Sequence, residues 1–334
     1  MKPAPVFLAL MGPTASGKTA LSLDVARALG CEIVSVDSRQ VYRGMDLGTA
    51  KATPAERAAV PHYGLDVVAP DEAYSAGRFA RDARRWIAGI RSRGAVPLLV
   101  GGTGFFLRAL TDPVFREPSL EPRRLHALRA YLSGLPRSTL EGWVRVLDPA
   151  RAVLAAEGGP QRLTRTLEVA LLTGRPLSWW HREAPAEAEP VEGLVVVLEL
   201  PREELDRRIA ARVDDMFAGG LTEEVAGLVA AGYGPEDPGM TGVGYREVLR
   251  HLSGEWSVED AAEAVKAATR RYARRQLTWL RNQLAEDGVL RLDAQRPRGE
   301  LCRVISQAWE AAAAGRAYGT EVGTGADTDE GGTG

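Results

Sequence analysis

Eight consecutive residues near the start of the chain have the types and spacing of a phosphate-binding P-loop, G-x-x-x-x-G-K-[ST]. They are Gly12, Pro13, Thr14, Ala15, Ser16, Gly17, Lys18 and Thr19. The glycines let the backbone curl around an anion so that successive N–H groups point inward, and a following helix adds positive partial charge. Lys18 can reach the terminal phosphate, and the Thr19 hydroxyl can ligate magnesium. The pattern predicts a site for a diphosphate or a triphosphate.

A second polar stretch follows the apolar run Cys31–Val36 and reads Asp37-Ser38-Arg39-Gln40. An aspartate at a strand end that faces bound phosphate can hold magnesium through water, act as a general base, or cap a turn. The segment Gly101-Gly102-Thr103-Gly104 follows another apolar run. Because ligands of parallel sheets bind beyond the carboxyl ends of the strands, we expect Asp37 and Thr103 to face the same crevice as the P-loop.

The elements that must position these residues follow from apolar runs and helical periodicity. The run Val6–Met11 predicts a buried strand that enters the P-loop, and the helix that starts at Thr19 ends at Gly30. Further strands are predicted at Cys31–Val36, Leu65–Val68, Val96–Val100 and Leu194–Leu200, and further helices at Ser75–Arg93, Glu203–Ala231 and Val258–Ala285. This alternation predicts the α/β class, with a P-loop NTPase-like parallel sheet flanked by helices.

The strand pattern disappears between Pro118 and Ala186, where helical segments are separated by glycine and proline. We therefore predict three parts of the chain. A P-loop α/β catalytic core covers residues 1–117 and 190–312, a helical insertion domain covers residues 118–189, and a disordered acidic, glycine-rich tail covers residues 313–334.

The net charge of −2 hides a separation of charge along the 334 residues. Ten arginines and four acidic residues lie from Arg123 to Arg182, and six basic residues without an acid lie from Lys266 to Arg281. This favours a polyanionic partner, although arginines also decorate solvated helix faces. The two cysteines lack metal-ligand spacing, and no segment reads as a membrane span or secretion signal. We expect a cytoplasmic protein that does not contact membranes.

Several motifs, in order along the chain, resemble the tRNA dimethylallyltransferase (tRNA isopentenyltransferase, IPP transferase) family. Besides the P-loop they are Ser35–Tyr42, Gly44–Lys51, Gly101–Thr103, Gln161–Arg165, Gly242–Arg246 and Arg275–Arg281. Together they are far more specific than the P-loop, which unrelated NTPases also carry. The resemblance implies a prenyltransferase whose P-loop, Gly12 to Thr19, grips dimethylallyl diphosphate rather than a nucleotide. In the family, the prenyl group passes to the exocyclic amine of the adenosine 3′ to the anticodon, in tRNAs that read codons beginning with U.

The resemblance also assigns catalytic roles. Asp37 would be the general base, and Lys18 and Arg212 would stabilise the departing diphosphate together with Mg²⁺. The ion, the one cofactor implied, would be ligated by Thr19 and through water by Asp37. We expect the protein to act as a monomer.

The implied partner is the anticodon stem-loop of tRNA. Its implied contacts are Asp37, Ser38, Arg39, Gln40, Thr103, Gln161, Arg162, Leu163, Thr164, Arg165, Thr241, Gly242, Val243, Gly244, Tyr245 and Arg246. The apolar face of the helix predicted at Gln161–Thr173 consists of Leu163, Leu167, Ala170 and Leu171. We expect the opposite face to present Gln161, Arg162 and Arg165 to an RNA loop.

Two further features bear on the RNA. The basic residues that would follow its phosphates are Lys266, Arg270, Arg271, Arg274, Arg275 and Arg281. A family arginine implicated in tRNA contact aligns with Leu125, so the neighbouring Arg123 or Arg124 would have to replace it.

Two other functions fit the P-loop alone. A small-molecule kinase shares the fold and arginine-rich helices, and it would turn over ATP with a small hydroxyl acceptor. A nucleic-acid-binding NTPase would show RNA-stimulated ATP hydrolysis without covalent change in the RNA. Neither function accounts for the ordered motifs.

Overall fold

The computed structural model describes residues 4–112, 118–184, 189–284 and 288–316. The chain divides into two compact units, here called the α/β unit (Met1–Thr111 and Val191–Gly334) and the helical unit (Asp112–Pro190). The backbone N–H of Val191 donates to the carbonyl oxygen of Leu110 at 3.1 Å. The chain therefore leaves and re-enters the α/β unit at adjacent points. Most of the tail that the sequence predicts to be disordered lies outside the described residues.

A six-stranded parallel sheet forms the centre of the α/β unit. Its strands are β1 (Phe7–Met11), β2 (Cys31–Val36), β3 (His62–Tyr63), β4 (Val96–Gly101), β5 (Gly193–Glu199) and β6 (Val289–Asp293). They follow the order β3-β2-β4-β1-β5-β6. In the registers of β1 with β4 and of β2 with β4, both Met11 and Val36 pair with Gly101. Three strands thus end level with one another, and the predicted α/β fold with a P-loop-like parallel sheet is confirmed.

The third strand is not where the sequence predicts it. Leu65–Val68 is not a strand, since only Val68 forms an isolated parallel bridge with Tyr42, and β3 lies earlier in the chain. Gly64 follows β3 with φ of 79°, and a Cβ there would lie 2.9 Å from the carbonyl oxygen of Ser35. The turn at this glycine ends the pairing with β2 before the apolar residues are reached. The sequence also does not predict β6, whose five residues include two charged side chains.

Helices cover the sheet and form the helical unit. They are α1 (Lys18–Leu29), α2 (Pro54–Ala59), α3 (Ala76–Ser92), α4 (Gly104–Thr111), α5 (Pro122–Ser133), α6 (Arg137–Leu147), α7 (Ala152–Glu157), α8 (Pro160–Thr173), α9 (Leu177–Glu183), α10 (Arg202–Ala218), α11 (Leu221–Ala230), α12 (Tyr245–Leu252), α13 (Val258–Gln283) and α14 (Arg298–Ala313). The side chain of Ser75 caps α3 by accepting from the Arg78 N–H, and Gly30 ends α1 in a left-handed conformation, both as predicted.

Apolar side chains fill a core on each face of the sheet. Alternate residues of β1 show the arrangement, because Leu8 and Leu10 belong to the core beside α1 and α14 while Ala9 and Met11 belong to the core beside α3 and α4. Burial of both faces explains why these strands read as continuous apolar runs. The two cores hold the strand ends in place, and with them the loops that follow.

The helical unit has its own core, which includes Leu132, Leu140, Val144, Leu163 and Leu167. The buried carboxylate of Glu168 accepts from Arg129 Nε at 2.6 Å, so its charge is compensated. Leu171 is 40% exposed, and its assignment to the apolar face of this helix is wrong. The helix turns that residue away from the core that Leu163 and Leu167 enter. Within the ranges the structure describes, no helix is both long and apolar enough to span a bilayer.

Candidate active site

The P-loop joins β1 to α1, and its backbone forms a concave nest. Ala15 and Gly17 both have left-handed conformations, with φ of 64° and 87°. For a residue with a Cβ such as Ala15 this conformation costs roughly 1–2 kcal/mol. Left-handed residues in this alternation turn successive N–H groups toward one side, which is the arrangement that binds anions. Since α1 begins at Lys18, the partial positive charge of its N-terminus adds to the nest.

The ammonium group of Lys18 lies against the carbonyl oxygens of its own loop. Nζ donates to the carbonyl oxygen of Gly12 at 2.9 Å, to that of Pro13, and to Ser16 Oγ at 3.3 Å. Burial and the positive charge of Arg212 lower the pKa of Lys18 to about 7, and the carboxylate of Asp37 opposes this shift. An anion in the nest would favour the charged form of the ammonium.

Two arginines of α10 complete the positive surroundings of the P-loop. Burial lowers the pKa of Arg212, and the negative charge of Asp37 opposes this effect. Arg208 stands one turn earlier, where its Nη1 lies 3.9 Å from the position a Cβ would take on Gly17. Its Nε donates to the carboxylate of Glu204 at 2.5 Å, which holds the side chain beside the loop. The site can therefore balance several negative charges.

Asp37 and Thr103 are joined through the backbone that follows β2 and β4. Asp37 Oδ1 accepts from the N–H of Arg39 at 2.8 Å, so the carboxylate caps its own turn. Thr103 Oγ1 accepts from the N–H of Ser38 at 3.1 Å, and the N–H of Thr103 donates to the Val36 carbonyl oxygen at 3.1 Å. The charge of the Asp37 carboxylate also acts on Lys18, so the strand end and the P-loop share one site.

Two residues of α13 belong to this site, although neither is among the predicted site residues. Tyr272 forms a side-chain hydrogen bond with Thr103, and burial together with the charge of Asp37 raises its pKa to about 12. Gln276 Oε1 accepts from the N–H of Thr14 in the P-loop at 2.9 Å. The sequence did carry a signal for these two residues, because they are spaced by four on a helix and Gln276 belongs to the family motif Arg275–Arg281. Their basic neighbours suggested that this helix contacts RNA phosphates instead.

The segment from Thr241 to Arg246 meets the Asp37 turn. Arg39 Nη1 donates to the carbonyl oxygen of Pro238 at 2.7 Å and to Thr241 Oγ1 at 3.3 Å. Thr241 and Arg246 are exposed, Val243 is half-buried, and Gly242 and Gly244 are buried, with Gly244 preceding α12 at φ of 97°. Two segments that lie about two hundred residues apart in sequence thus form one surface.

Three predicted RNA-contact residues have side chains that the protein itself uses. Tyr245 is 1% exposed and donates to Glu224 Oε1, and Leu163 is fully buried in the core of the helical unit. Neither side chain reaches the surface, so any contact with RNA at these two residues would come from the backbone, and it stays a prediction. Gln40 is half-buried, accepts from Ser35 Oγ at 2.7 Å and donates to the carbonyl oxygens of Thr49 and Ala50. Its contact with RNA stays a prediction.

Other predicted contact residues of the helical unit lie near the start of α8. Gln161 and Arg162 are exposed, and Thr164 and Arg165 are half-buried. Arg165 Nη1 lies 3.5 Å from the Glu168 carboxylate. Arg123 and Arg124, the neighbours of half-buried Leu125, are exposed, and their backbone N–H groups donate to Glu121, which caps α5.

The donors available for a metal are few. Thr19 is exposed at the start of α1, and Asp37 is half-buried. Among the described residues no group of three or more His, Cys, Asp and Glu side chains is arranged to hold a metal ion. A hydroxyl and one carboxylate suit Mg²⁺, which keeps several waters and binds through one or two carboxylates plus substrate phosphates.

The fold and this site define an α/β protein of the P-loop type, with a backbone nest whose geometry suits an anion. The family model described as IPP transferase matches residues 40–283, and the model described as isopentenyl transferase matches residues 6–62. The chain belongs to the IPP transferase family, as its ordered motifs suggest.

Relatives and solved structures agree with this membership. The tRNA dimethylallyltransferase of Syntrophobacter fumaroxidans is 44% identical over 91% of this chain and 87% of its own length. A tRNA isopentenylpyrophosphate transferase structure from Staphylococcus epidermidis is 34% identical, with a TM-score of 0.64 over 92% of this chain and 99% of that one. The structure of a eukaryotic dimethylallyltransferase acting on tRNA is 26% identical, with a TM-score of 0.76 over 93% of this chain and 80% of that one. The protein is accordingly an enzyme of the prenyltransferase class.

Proposed function

We propose that the protein transfers a dimethylallyl group from dimethylallyl diphosphate to tRNA. The acceptor is the exocyclic amine of the adenosine 3′ to the anticodon, in tRNAs that read codons beginning with U. The observation that carries the proposal is the meeting of an anion-binding nest, Lys18 and Arg212 with the carboxylate of Asp37. A donor diphosphate and a proton acceptor are the two groups that such a transfer needs at one place.

The diphosphate occupies the P-loop in this proposal. Backbone N–H groups of the nest and the N-terminus of α1 bind its oxygens, and Lys18 exchanges its bonds to the loop carbonyls for bonds to the ligand. As the allylic C–O bond breaks, negative charge grows on the departing diphosphate. Lys18 and Arg212 stabilise that charge, which is larger in the transition state than in the substrate.

The donor set fits Mg²⁺. The Thr19 hydroxyl would hold the ion, and Asp37 would contact it through water. When bound, Mg²⁺ neutralises charge on the diphosphate oxygens and so improves the leaving group.

Asp37 receives the proton in the transfer step. The adenine amine is a weak nucleophile because its lone pair is delocalised into the ring, and its proton becomes acidic only as the new C–N bond forms. The new bond forms as the C–O bond of the allyl group breaks, diphosphate leaves, and the amine proton passes to the Asp37 carboxylate. The Arg39 N–H holds that carboxylate in place.

The tRNA is bound by basic and polar residues of both units. In the helical unit Gln161, Arg162 and Arg165 face the RNA, and in the α/β unit the exposed arginines of α13 follow its phosphates. The name of the solved eukaryotic relative, an enzyme acting on tRNA, supports this partner. We place the reaction in the cytoplasm and expect a monomer to carry it out.

The decisive experiment incubates the protein with bulk tRNA, Mg²⁺ and labelled dimethylallyl diphosphate. We expect label in the RNA at one adenosine, with ATP unable to replace the donor. Phosphorylation of a small hydroxyl acceptor by ATP would identify a kinase instead. ATP hydrolysis stimulated by RNA, without covalent change in the RNA, would identify an NTPase.

A further inference from the structure

One stripe of α13 faces the loops that follow β1 and β4. Tyr272, Gln276 and Trp279 are spaced by four and three residues and so lie on one side of the helix. Tyr272 bonds to Thr103, and the ring of Trp279 lies 2.0 Å from the position a Cβ would take on Gly104. The helix therefore packs directly on the loop from Gly101 to Gly104.

Gln276 is the member of this stripe that reaches the P-loop. Its side chain accepts from the N–H of Thr14 at 2.9 Å across 262 residues of sequence, and the residue is only 6% exposed. A Cβ on Gly102 would lie 2.1 Å from Gln276 Nε2 and 2.9 Å from the carbonyl oxygen of Gly12. The amide thus sits tightly between the two loops, in a space that only a glycine at position 102 leaves open.

The first half of the P-loop is consequently held from two sides. Gln276 holds the N–H of Thr14, and Lys18 holds the carbonyl oxygens of Gly12 and Pro13. Lys18 must leave those oxygens when it binds an anion, and Gln276 is then the remaining side-chain bond to this part of the loop among the described residues. The nest formed by the left-handed Ala15 and Gly17 follows directly on this part of the loop, so its shape depends on how Thr14 is held.

We propose that Gln276 is a positioning residue that holds the P-loop in its diphosphate-binding shape from α13. The proposal rests on the proposed function only in taking the diphosphate of the prenyl donor as the ligand. Gln276 acts through Thr14 and does not touch the reacting atoms. Its loss should therefore weaken the binding of the diphosphate more than the binding of tRNA.

The test replaces Gln276 by leucine, which has similar volume and no acceptor for the Thr14 N–H. The half-buried Thr14 N–H would lose its acceptor, and relaxation of the loop toward another acceptor would distort the nest. We expect the Kd for inorganic pyrophosphate, measured by calorimetry without tRNA, to rise roughly tenfold, equal to about 1.4 kcal/mol. The KM for dimethylallyl diphosphate should rise by the same factor, while the KM for tRNA stays within about twofold. The control Gln307→Leu, at an exposed position of α14, should change neither constant.

A second variant guards against a general loss of structure. Gln276→Asn keeps the amide but is one methylene too short for the bond to Thr14, so it should reproduce the change in Kd with an unchanged melting temperature. Unchanged pyrophosphate binding in both variants would overturn the proposal. An equal rise in the KM for the donor and the KM for tRNA, together with a lower melting temperature, would also overturn it. That result would make Gln276 a plain core residue. Because pyrophosphate binding needs no transfer, a wild-type protein that binds pyrophosphate but modifies no tRNA would remove the proposed function and leave this test intact.

Discussion

Among single residues, Asp37 carries the proposed proton transfer and also caps its own turn. General-base catalysis contributes about 10²- to 10⁴-fold in rate, so Asp37→Ala should lower the single-turnover rate with saturating tRNA and donor by about that factor. Asp37→Asn is the matched variant, because its side-chain oxygen can still accept from the Arg39 N–H. It should be as slow as the alanine variant while keeping the turn.

The two substitutions separate the possible roles of this carboxylate. A normal rate for Asp37→Asn combined with a slow Asp37→Ala would make the residue a turn cap. Loss of pyrophosphate binding in Mg²⁺ by both variants would make it chiefly a metal residue.

Lys18 gives the free protein a specific dependence of stability on pH. Its pKa is lowered to about 7 in the native state from an ordinary value of 10.5. Between these values the unfolded chain binds a proton at this site that the native chain does not, so the stability of the native state rises with pH across this window. In urea unfolding at several pH values, wild type should gain stability relative to Lys18→Met from pH 7 to pH 10.5. A pH-independent difference between the two proteins would contradict the lowered pKa.

Among the elements, α13 combines the stripe that packs on the loops with exposed basic residues. Arg271, Arg274, Arg275 and Arg281 are exposed, whereas Lys266 is paired with Asp214 at 2.7 Å and with Glu263 at 2.9 Å. The sequence alone does not distinguish these basic residues, whereas the structure shows which are exposed and which is paired with acidic side chains. The paired lysine ties α13 to α10 and is therefore the natural control for the arginines.

Binding of tRNA should weaken steeply with salt, because each phosphate that a basic side chain neutralises releases counterions. Arg271→Ala with Arg275→Ala should weaken all tRNAs about equally and reduce the slope of log K against log [salt] by about 1 for each arginine that binds a phosphate. Lys266→Ala should leave the slope unchanged. Filter-binding titrations across a salt series measure both quantities, and a slope unaffected by the arginine changes would make them ordinary surface residues.

For the whole molecule, the connection between the units permits a clean deletion. Because the Leu110 carbonyl oxygen bonds to the Val191 N–H at 3.1 Å, a short glycine-serine linker can replace the helical unit without stretching the sheet. The α/β unit contains the complete P-loop and its supports, so the shortened protein should bind pyrophosphate with nearly the wild-type Kd. It should lose measurable affinity for tRNA, as seen by calorimetry and filter binding on the same sample. A shortened protein that still modifies tRNA normally would rule out a tRNA-binding role for the helical unit.

Local spacing was enough to predict the parts of this protein that local interactions build. The P-loop, its strand and helix, the Ser75 cap and the Gly30 end of α1 all depend on residues within a few positions of one another. Apolar runs predicted four of the six strands because both faces of the sheet are buried. Of the two strands that were missed, β3 has only two residues and β6 carries two charged side chains, so pairing with a neighbour defines them more than apolar composition does.

Tertiary packing decided which polar and apolar side chains are available at the site. Periodicity already places Leu163 on the apolar face of its helix, but only the packed structure shows that the Gln40 amide is bonded inside the protein. The same holds for Gln276, because its spacing on the helix could mark the residue but could not identify its partner Thr14, which lies 262 residues away. A hydrogen bond between distant segments forms only when the tertiary fold brings those segments together. Motif spacing therefore identified the phosphate site, and the tertiary structure determined which residues support it.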